Sequence, residues 1–307
     1  MLKDRFGRPL LNFRIAVTQN CNLNCVYCHR EGEERRDTRQ TEMTVDEIVK
    51  IAEVAVNLGI SKVKLTGGEP LTRKDIPEIV EGIAAIKGLE DLAITTNGTL
   101  LQGLAEELHR RGLKRVNINI PSLNAEKYAK LTGGDLRHVL NGIKAAVKAG
   151  IHPVKLNMLL LKDVNTDEIW RMAHFAEQTG TILQLIELEP INLDKEFYVQ
   201  YHQPLDGIAA ELERKALKIE ARRYMHNRLV YHLPNVKIEL VPPIENTEFC
   251  AHCTRIRLTS DGKLKTCLMR NDDLIDVLTP LRNGASPREI AELFKLANQK
   301  RRPYYTA

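Results

Sequence analysis

Cys21, Cys25 and Cys28 form a CxxxCxxC cluster in one short stretch. Three thiolates hold three corners of a cubane iron-sulfur cluster and leave one iron without a protein ligand. An open coordination site is where a metal acts on a small molecule. Zinc is the alternative, but structural zinc normally closes with four protein ligands, often as CxxC pairs. The one nearby histidine, His29, follows Cys28 directly and is badly placed to complete a tetrahedron. A second triplet, Cys250, Cys253 and Cys267, has the spacing CxxCx13C and again lacks an obvious fourth ligand. A zinc ribbon completed by a distant histidine is the alternative there. Inside that loop stand Arg255 and Arg257, two guanidiniums that suit an anionic, phosphate-bearing ligand. All six cysteines of the 307-residue chain fall into these triplets, which in a reducing compartment argues for two metal sites and against disulfides.

The elements that position these residues alternate. A strand-like run, Phe13 to Val17, leads into the first triplet, and similar runs recur at Val63–Leu65, Leu92–Thr95, Val116–Ile120, Val154–Leu161 and Ile182–Leu188. Helical patterns separate them. Thr44 and Glu47 make a capping box, Ile48, Ile51, Ala52 and Ala55 share a face, and Gly59 marks the stop. Further helices are expected over 76–86, 100–111, 136–149 and 166–178. Six such units predict parallel strands with right-handed crossovers.

Side-chain alternation decides between an open sheet and a barrel. Arg14 and Thr18; Lys62, Lys64 and Thr66; Thr95 and Asn97; Asn117 and Asn119; Lys155 and Asn157 each share one face of their strand. A sheet covered by helices on both sides is apolar on both, and a closed eight-stranded barrel fills its interior with apolar groups. A polar, cationic inner face therefore predicts an incomplete (β/α)6 TIM-like barrel whose lumen holds a ligand. The loops after the strands bring the first triplet, Gly67-Gly68-Glu69-Pro70, Thr96-Asn97-Gly98 and Pro121-Ser122 to one mouth. The second triplet is expected at that mouth as well.

Residues 1–190 read as the barrel and residues 191–307 as an extension that closes its open side. Within the extension one helix is expected near Leu205–Ala216, a β-like run at Val236–Val241, and a final helix at Ser286–Asn298. The net charge of +5 and the 43% apolar content fit a globular chain, and 5% aromatic residues leave little for base-stacking platforms. The clusters Arg35-Arg36, Arg222-Arg223 and Lys300-Arg301-Arg302 read as solvated faces. Neither a transmembrane run nor a signal peptide is evident, so a cytoplasmic protein without a stable nucleic-acid or membrane partner is expected.

CxxxCxxC followed by the GGEP of Gly67–Pro70 resembles the radical S-adenosylmethionine (SAM) enzymes. Together with TTNG at Thr95–Gly98 and CxxCTRIRLTSDGK from Cys250, the chain is similar to the GTP 3′,8-cyclase family of molybdenum cofactor biosynthesis. The resemblance implies two [4Fe-4S] clusters, SAM on the first and GTP on the second. It implies abstraction of a hydrogen from C3′ of GTP by a 5′-deoxyadenosyl radical and attack of C3′ on C8. It puts Cys21, Cys25, Cys28, Arg255 and Arg257 in the catalytic machinery, and Tyr27, Gly67, Gly68, Glu69 and Asn119 at SAM, with Glu69 as the partner of its ammonium. Arg14, Lys64, Thr95, Lys155, Arg255 and Arg257 are implied at GTP. The implied partners are an electron donor and a cyclic pyranopterin monophosphate synthase that takes the product; a monomer and a homodimer both fit. Departures are Lys64 and Gln184 where relatives carry arginine, Asn119 for serine and Glu189 for methionine. The tail 303–307 also replaces a diglycine, so Arg301 or Arg302 is expected to serve the pocket instead. A peptide-modifying radical SAM enzyme and a zinc-bearing nucleic-acid binder are the competing readings, and neither accounts for lysines and arginines inside the strands.

Overall fold

A computed structural model of the chain describes residues 1–34 and 42–304. Arg35-Arg36 lies outside the described residues. The first half alternates as its periodicity predicts: β1 (Asn12–Ala16), α1 (Val45–Asn57), β2 (Lys62–Thr66), α2 (Ile76–Ala84), β3 (Asp91–Thr96), α3 (Leu101–Arg110), β4 (Arg115–Asn119), α4 (Ala125–Thr132), α5 (Leu136–Lys148), β5 (Val154–Leu159), α6 (Ile169–Thr179) and β6 (Ile182–Ile186). Thr44 and Glu47 form the capping box reciprocally. Strands β1 to β6 are parallel neighbours in sequence order.

The extension contributes α7 (Lys195–Tyr201), α8 (Asp206–Lys215), β7 (Lys218–Arg222), β8 (Arg228–His232), β9 (Lys237–Val241), α9 (Thr247–Ala251), β10 (Arg255–Leu258), β11 (Lys263–Lys265), β12 (Ile275–Asp276), α10 (Leu278–Arg282) and α11 (Pro287–Lys300). Its strands cover both edges of the barrel sheet. β9 lies parallel to β6 and β10 parallel to β1, with antiparallel partners outside each, so twelve strands run β12-β11-β10-β1-β2-β3-β4-β5-β6-β9-β8-β7. Among the described residues the sheet does not close through backbone ladders. The turn between β7 and β8 bridges the gap instead, where the Thr254 hydroxyl donates to the Tyr224 carbonyl at 2.9 Å and the His226 N–H donates to the His252 carbonyl at 3.2 Å. The extension thus carries two helices and a hairpin between residues 192 and 234, where one helix was expected.

The outward faces of the strands supply the core. Phe13, Ile15, Val63, Leu65, Leu92, Ile94, Val116, Ile118, Leu156 and Met158 are buried beneath the helices. α11 takes a place in that helical layer beside α1, with Phe294 edge-on to Phe13 at 5.4 Å. No described helix is long and apolar enough to cross a membrane.

Candidate active site

The inward faces line a cavity of about 320 Å3. Arg14, Lys64, Thr95, Asn117, Asn119, Lys155 and Asn157 all border it, as the alternation predicted, and so do all six cysteines. The two triplets occupy opposite ends of it, which corrects the expectation of a shared mouth. Cys21 follows the C-terminal end of β1. Cys253, in contrast, precedes β10, whose first residue, Arg255, is level with Asn12 at the start of β1. β11 runs antiparallel to β10, so Cys267 returns to that same lower level. From Asn12 to Ala16 a strand rises about 13 Å, and the two triplets are separated along the lumen by at least that rise.

The first triplet sits on a braced loop. Its backbone is held from below by α4, where Asn24 and Val26 donate to the Thr132 and Leu131 carbonyls at 2.9 and 3.0 Å. Asn22 accepts from Asn97 at 2.8 Å and donates to Thr99 at 2.9 Å, which ties the loop to the one after β3. The two glycines after β2 have a specific steric purpose. Gly67 has φ +139, and a Cβ there would meet the Thr18 carbonyl oxygen at 2.3 Å; one on Gly68 would meet the Asn20 carbonyl oxygen at 2.2 Å. The amides of Gly68 and Glu69 also bind this loop, Gly68 N–H donating to the Thr18 carbonyl and Glu69 N–H to the Asn20 carbonyl, each at 2.8 Å. The side chain of Glu69, only 1% exposed, accepts from the Thr96 hydroxyl and Asn97 N–H at 2.6 Å and from Leu71 N–H at 3.0 Å. Burial raises its pKa while these donors oppose the rise. Glu69 therefore holds the loops after β2 and β3 together.

The donor set fits an iron-sulfur cluster. The cysteines are free thiols, and burial together with the neighbouring Cys28 and Cys21 pushes Cys25 up to about 12. Thiolates whose charges raise one another's pKa need a cationic centre to share their charge, and metal binding supplies one. Tyr27 lines the cavity beside them, and burial together with the nearby Cys25 raises its pKa well above the usual value. At the other end, Cys253 is lowered although burial opposes it, because Arg301 and Arg255 lie close; burial raises Cys267.

Between the ends the lumen is crowded with positive charge. Arg14 is lowered to about 10 by burial and by Arg257, and Lys155 to about 8 by burial against the pull of Glu239. Lys64 is lowered well below its usual value by burial and by Arg115, Arg14 and Arg255. Arg14 makes no hydrogen bond or ion pair among the described residues, and Arg255 reaches only the Met225 sulfur at 3.4 Å. Lys64 donates to Asn117 at 2.8 Å, Asn117 to Gln184 at 2.7 Å, and Asn157 to Asn119 at 3.0 Å. Such unspent donors and charge make a receptor for a polyanion.

Several members of the site were not singled out in the sequence. Glu31 pairs with Arg257 at 2.5 Å and accepts from the Thr66 hydroxyl at 2.6 Å. Glu239, fully buried, binds Lys155, Arg222 and Arg228, so Arg222 belongs to the lumen and not to a solvated face. Arg301, which the sequence did put forward for the pocket, is buried. It pairs with Asp4 at 3.0 Å and donates to the Cys253 carbonyl, while Arg8 donates to the Cys250 and Pro303 carbonyls, each at 2.9 Å. Arg301 thus braces the second triplet from behind, and Arg302, paired with Asp272 at 3.0 Å, stands at the cavity rim.

Residues 15–176 match the Radical SAM superfamily and residues 181–307 match Molybdenum Cofactor Synthesis C. Proteins named probable GTP 3′,8-cyclase are similar throughout. That of Pyrococcus abyssi is 51% identical, covering 100% of this chain and 100% of its own length. That of Methanocaldococcus jannaschii is 44% identical, covering 99% of each. Among solved structures, Streptococcus suis SuiB bound to S-adenosylmethionine superposes with a TM-score of 0.66 at 17% identity, over 97% of this chain and 76% of that one. The anSMEcpe structure with bound AdoMet gives 0.58 at 14% identity, over 86% of this chain and 76% of that one. These two share the fold, a partial barrel. With a matching superfamily over half its length and full-length relatives near 50% identity, the chain belongs to the radical SAM superfamily and, within it, to the GTP 3′,8-cyclase family.

Proposed function

We propose that the chain converts GTP to (8S)-3′,8-cyclo-7,8-dihydroguanosine 5′-triphosphate, the first step of molybdenum cofactor biosynthesis, with GTP lying along the lumen between two cluster sites. The observation that carries this reading is a cationic, hydrogen-bonding lumen with a cysteine triplet at each end. Superfamily membership brings a [4Fe-4S] cluster and SAM to Cys21, Cys25 and Cys28. Cys250, Cys253 and Cys267 would hold a second [4Fe-4S] cluster, whose open iron would supply an anchor for the guanine at the lower end. Bound SAM supplies the 5′-deoxyadenosyl radical, and the protein's own work is placement. Tyr27, Gly67, Gly68 and Asn119 border the SAM end, and Glu69 keeps the loops there in register. Arg14, Lys64, Thr95, Lys155, Arg255 and Arg257 hold the nucleotide so that one ribose hydrogen meets the radical. Misplacement of a reacting atom by about 1 Å can cost on the order of a hundredfold in rate, so fixing the substrate at both ends makes a reactive species selective. The product passes to a cyclic pyranopterin monophosphate synthase, and an external donor supplies the electron. GTP deuterated at C3′ tests the reading under anaerobic, reducing conditions. Deuterium should appear in 5′-deoxyadenosine together with a cyclised nucleotide, and SAM turnover that leaves all label in unchanged GTP would overturn it.

A further inference from the structure

Glu239 on β9 is wholly buried, yet three cations converge on it. Lys155 comes from β5, Arg222 from β7 and Arg228 from β8. One carboxylate neutralises one of them, so the group keeps a surplus of two positive charges. Burying each unneeded ion costs several kcal/mol, so a fold that had only to satisfy Glu239 would stop at one partner. The surplus also has donors to spare. Arg228 spends Nη2 on Glu239 at 2.9 Å and Nε on the Met225 carbonyl at 3.1 Å, and Arg222 spends Nη1 alone on the two carboxylate oxygens at 3.0 and 3.2 Å. Both arginines border the lumen. Gln184, the register neighbour of Glu239 on β6, is neutral, so the guanidiniums at this level of the wall come from the hairpin, beside Lys155 from β5.

We propose that Arg222 and Arg228 are substrate-binding residues, forming with Lys155 the seat for the outer phosphates of GTP, and that Glu239 is the spacer that fixes the three cations for it. The proposal rests on the reading of the lumen as a GTP site. Surplus positive charge facing the lumen calls for negative charge in the ligand, which in GTP lies on the triphosphate and not on the guanine or ribose. A guanidinium presents its donors as a planar fork that matches phosphate oxygens, and Glu239 holds those forks in place before substrate arrives.

The test is nucleotide binding and turnover by the anaerobically reconstituted enzyme, with GTP and GMP compared. Arg228→Gln should weaken GTP binding about ten- to a hundredfold, the usual scale for one charge-assisted hydrogen bond. Arg222→Gln, more exposed, should weaken it less and serves if Arg228→Gln does not fold. GMP and SAM binding should stay as in wild type, KM for GTP should rise more than kcat falls, and Arg228→Lys should recover part of the loss. Variants of normal iron content that bind GTP as wild type does, or that lose GTP and GMP equally, would overturn the proposal alone. A wild-type enzyme that does not bind GTP would overturn the functional reading and the proposal together.

Discussion

Arg14 and Arg257 sit side by side in register on β1 and β10, yet their replacement should have different consequences. Arg257 is tied to the buried Glu31, so removing it mixes lost substrate contact with an orphaned carboxylate. Arg14 has no such partner among the described residues. Arg14→Ala should weaken GTP binding by about 1.5–3 kcal/mol without lowering the melting temperature of the ligand-free protein, since burying this cation costs more than the pull of Glu31 returns. Calorimetry and thermal melting on one preparation separate the two effects. Glu31 has the opposite profile. Burial favours its neutral form, but Arg257 and Arg14 prevail and bring its pKa from the ordinary 4.5 to about 2. A carboxylate depressed on folding contributes stability that is present above about pH 4.5 and lost as the pH falls toward 2. Glu31→Gln should therefore cost about 3–5 kcal/mol at neutral pH and flatten the acid limb of the stability profile. Urea midpoints at pH 7 and pH 3 that move in parallel for wild type and variant would contradict this. Arg14, Lys64 and Lys155 were legible as site residues because alternation put them on one strand face. Glu31 and Glu239 were not, because a buried acid reads as an ordinary solvated charge until its cations are placed around it.

Among the elements, the loop that carries the first triplet depends on its neighbour more than on itself. The Gly68 position leaves no room for a Cβ against the Asn20 and Gln19 carbonyls, at 2.2 and 2.6 Å. Gly68→Ala should leave the helical circular dichroism unchanged and displace this loop, so that the protein retains iron only at the second triplet and no longer cleaves SAM. The six βα units were readable because amphipathic helices and alternating strands repeat strongly. α4 went unread although Asn124 caps it and Gly133 ends it in the left-handed conformation. The β7–β8 hairpin gave less to read. β7 is exposed along nearly its whole length, so it has no buried face to impose an apolar period, and its turn puts His226 and Asn227 at positive φ without a glycine. A hairpin lacking both cues is seen only when its tertiary partner, β9, is in place.

For the whole molecule, the two cysteine sites are separate in sequence, in element and along the lumen axis. The reconstituted protein should hold about eight irons, and replacing Cys21, Cys25 and Cys28 by alanine should remove half of them together with all SAM cleavage. Iron and labile-sulfide analysis checks this; stoichiometric zinc without sulfide would refute it. The lower site has a second dependence. Asp4, fully buried at its side chain, takes both Arg8 at 2.7 Å and Arg301 at 3.0 Å, and those two arginines grip the Cys250 and Cys253 carbonyls. Residues near 4, 250 and 301 thus meet in one knot, and that knot orders events during synthesis. While the polypeptide is still emerging from the ribosome, the first triplet can find its braces once α4, which ends at Thr132, has been made. The second cannot be secured until Arg301 has been added, so a product released early would carry a radical source without a finished seat for its substrate.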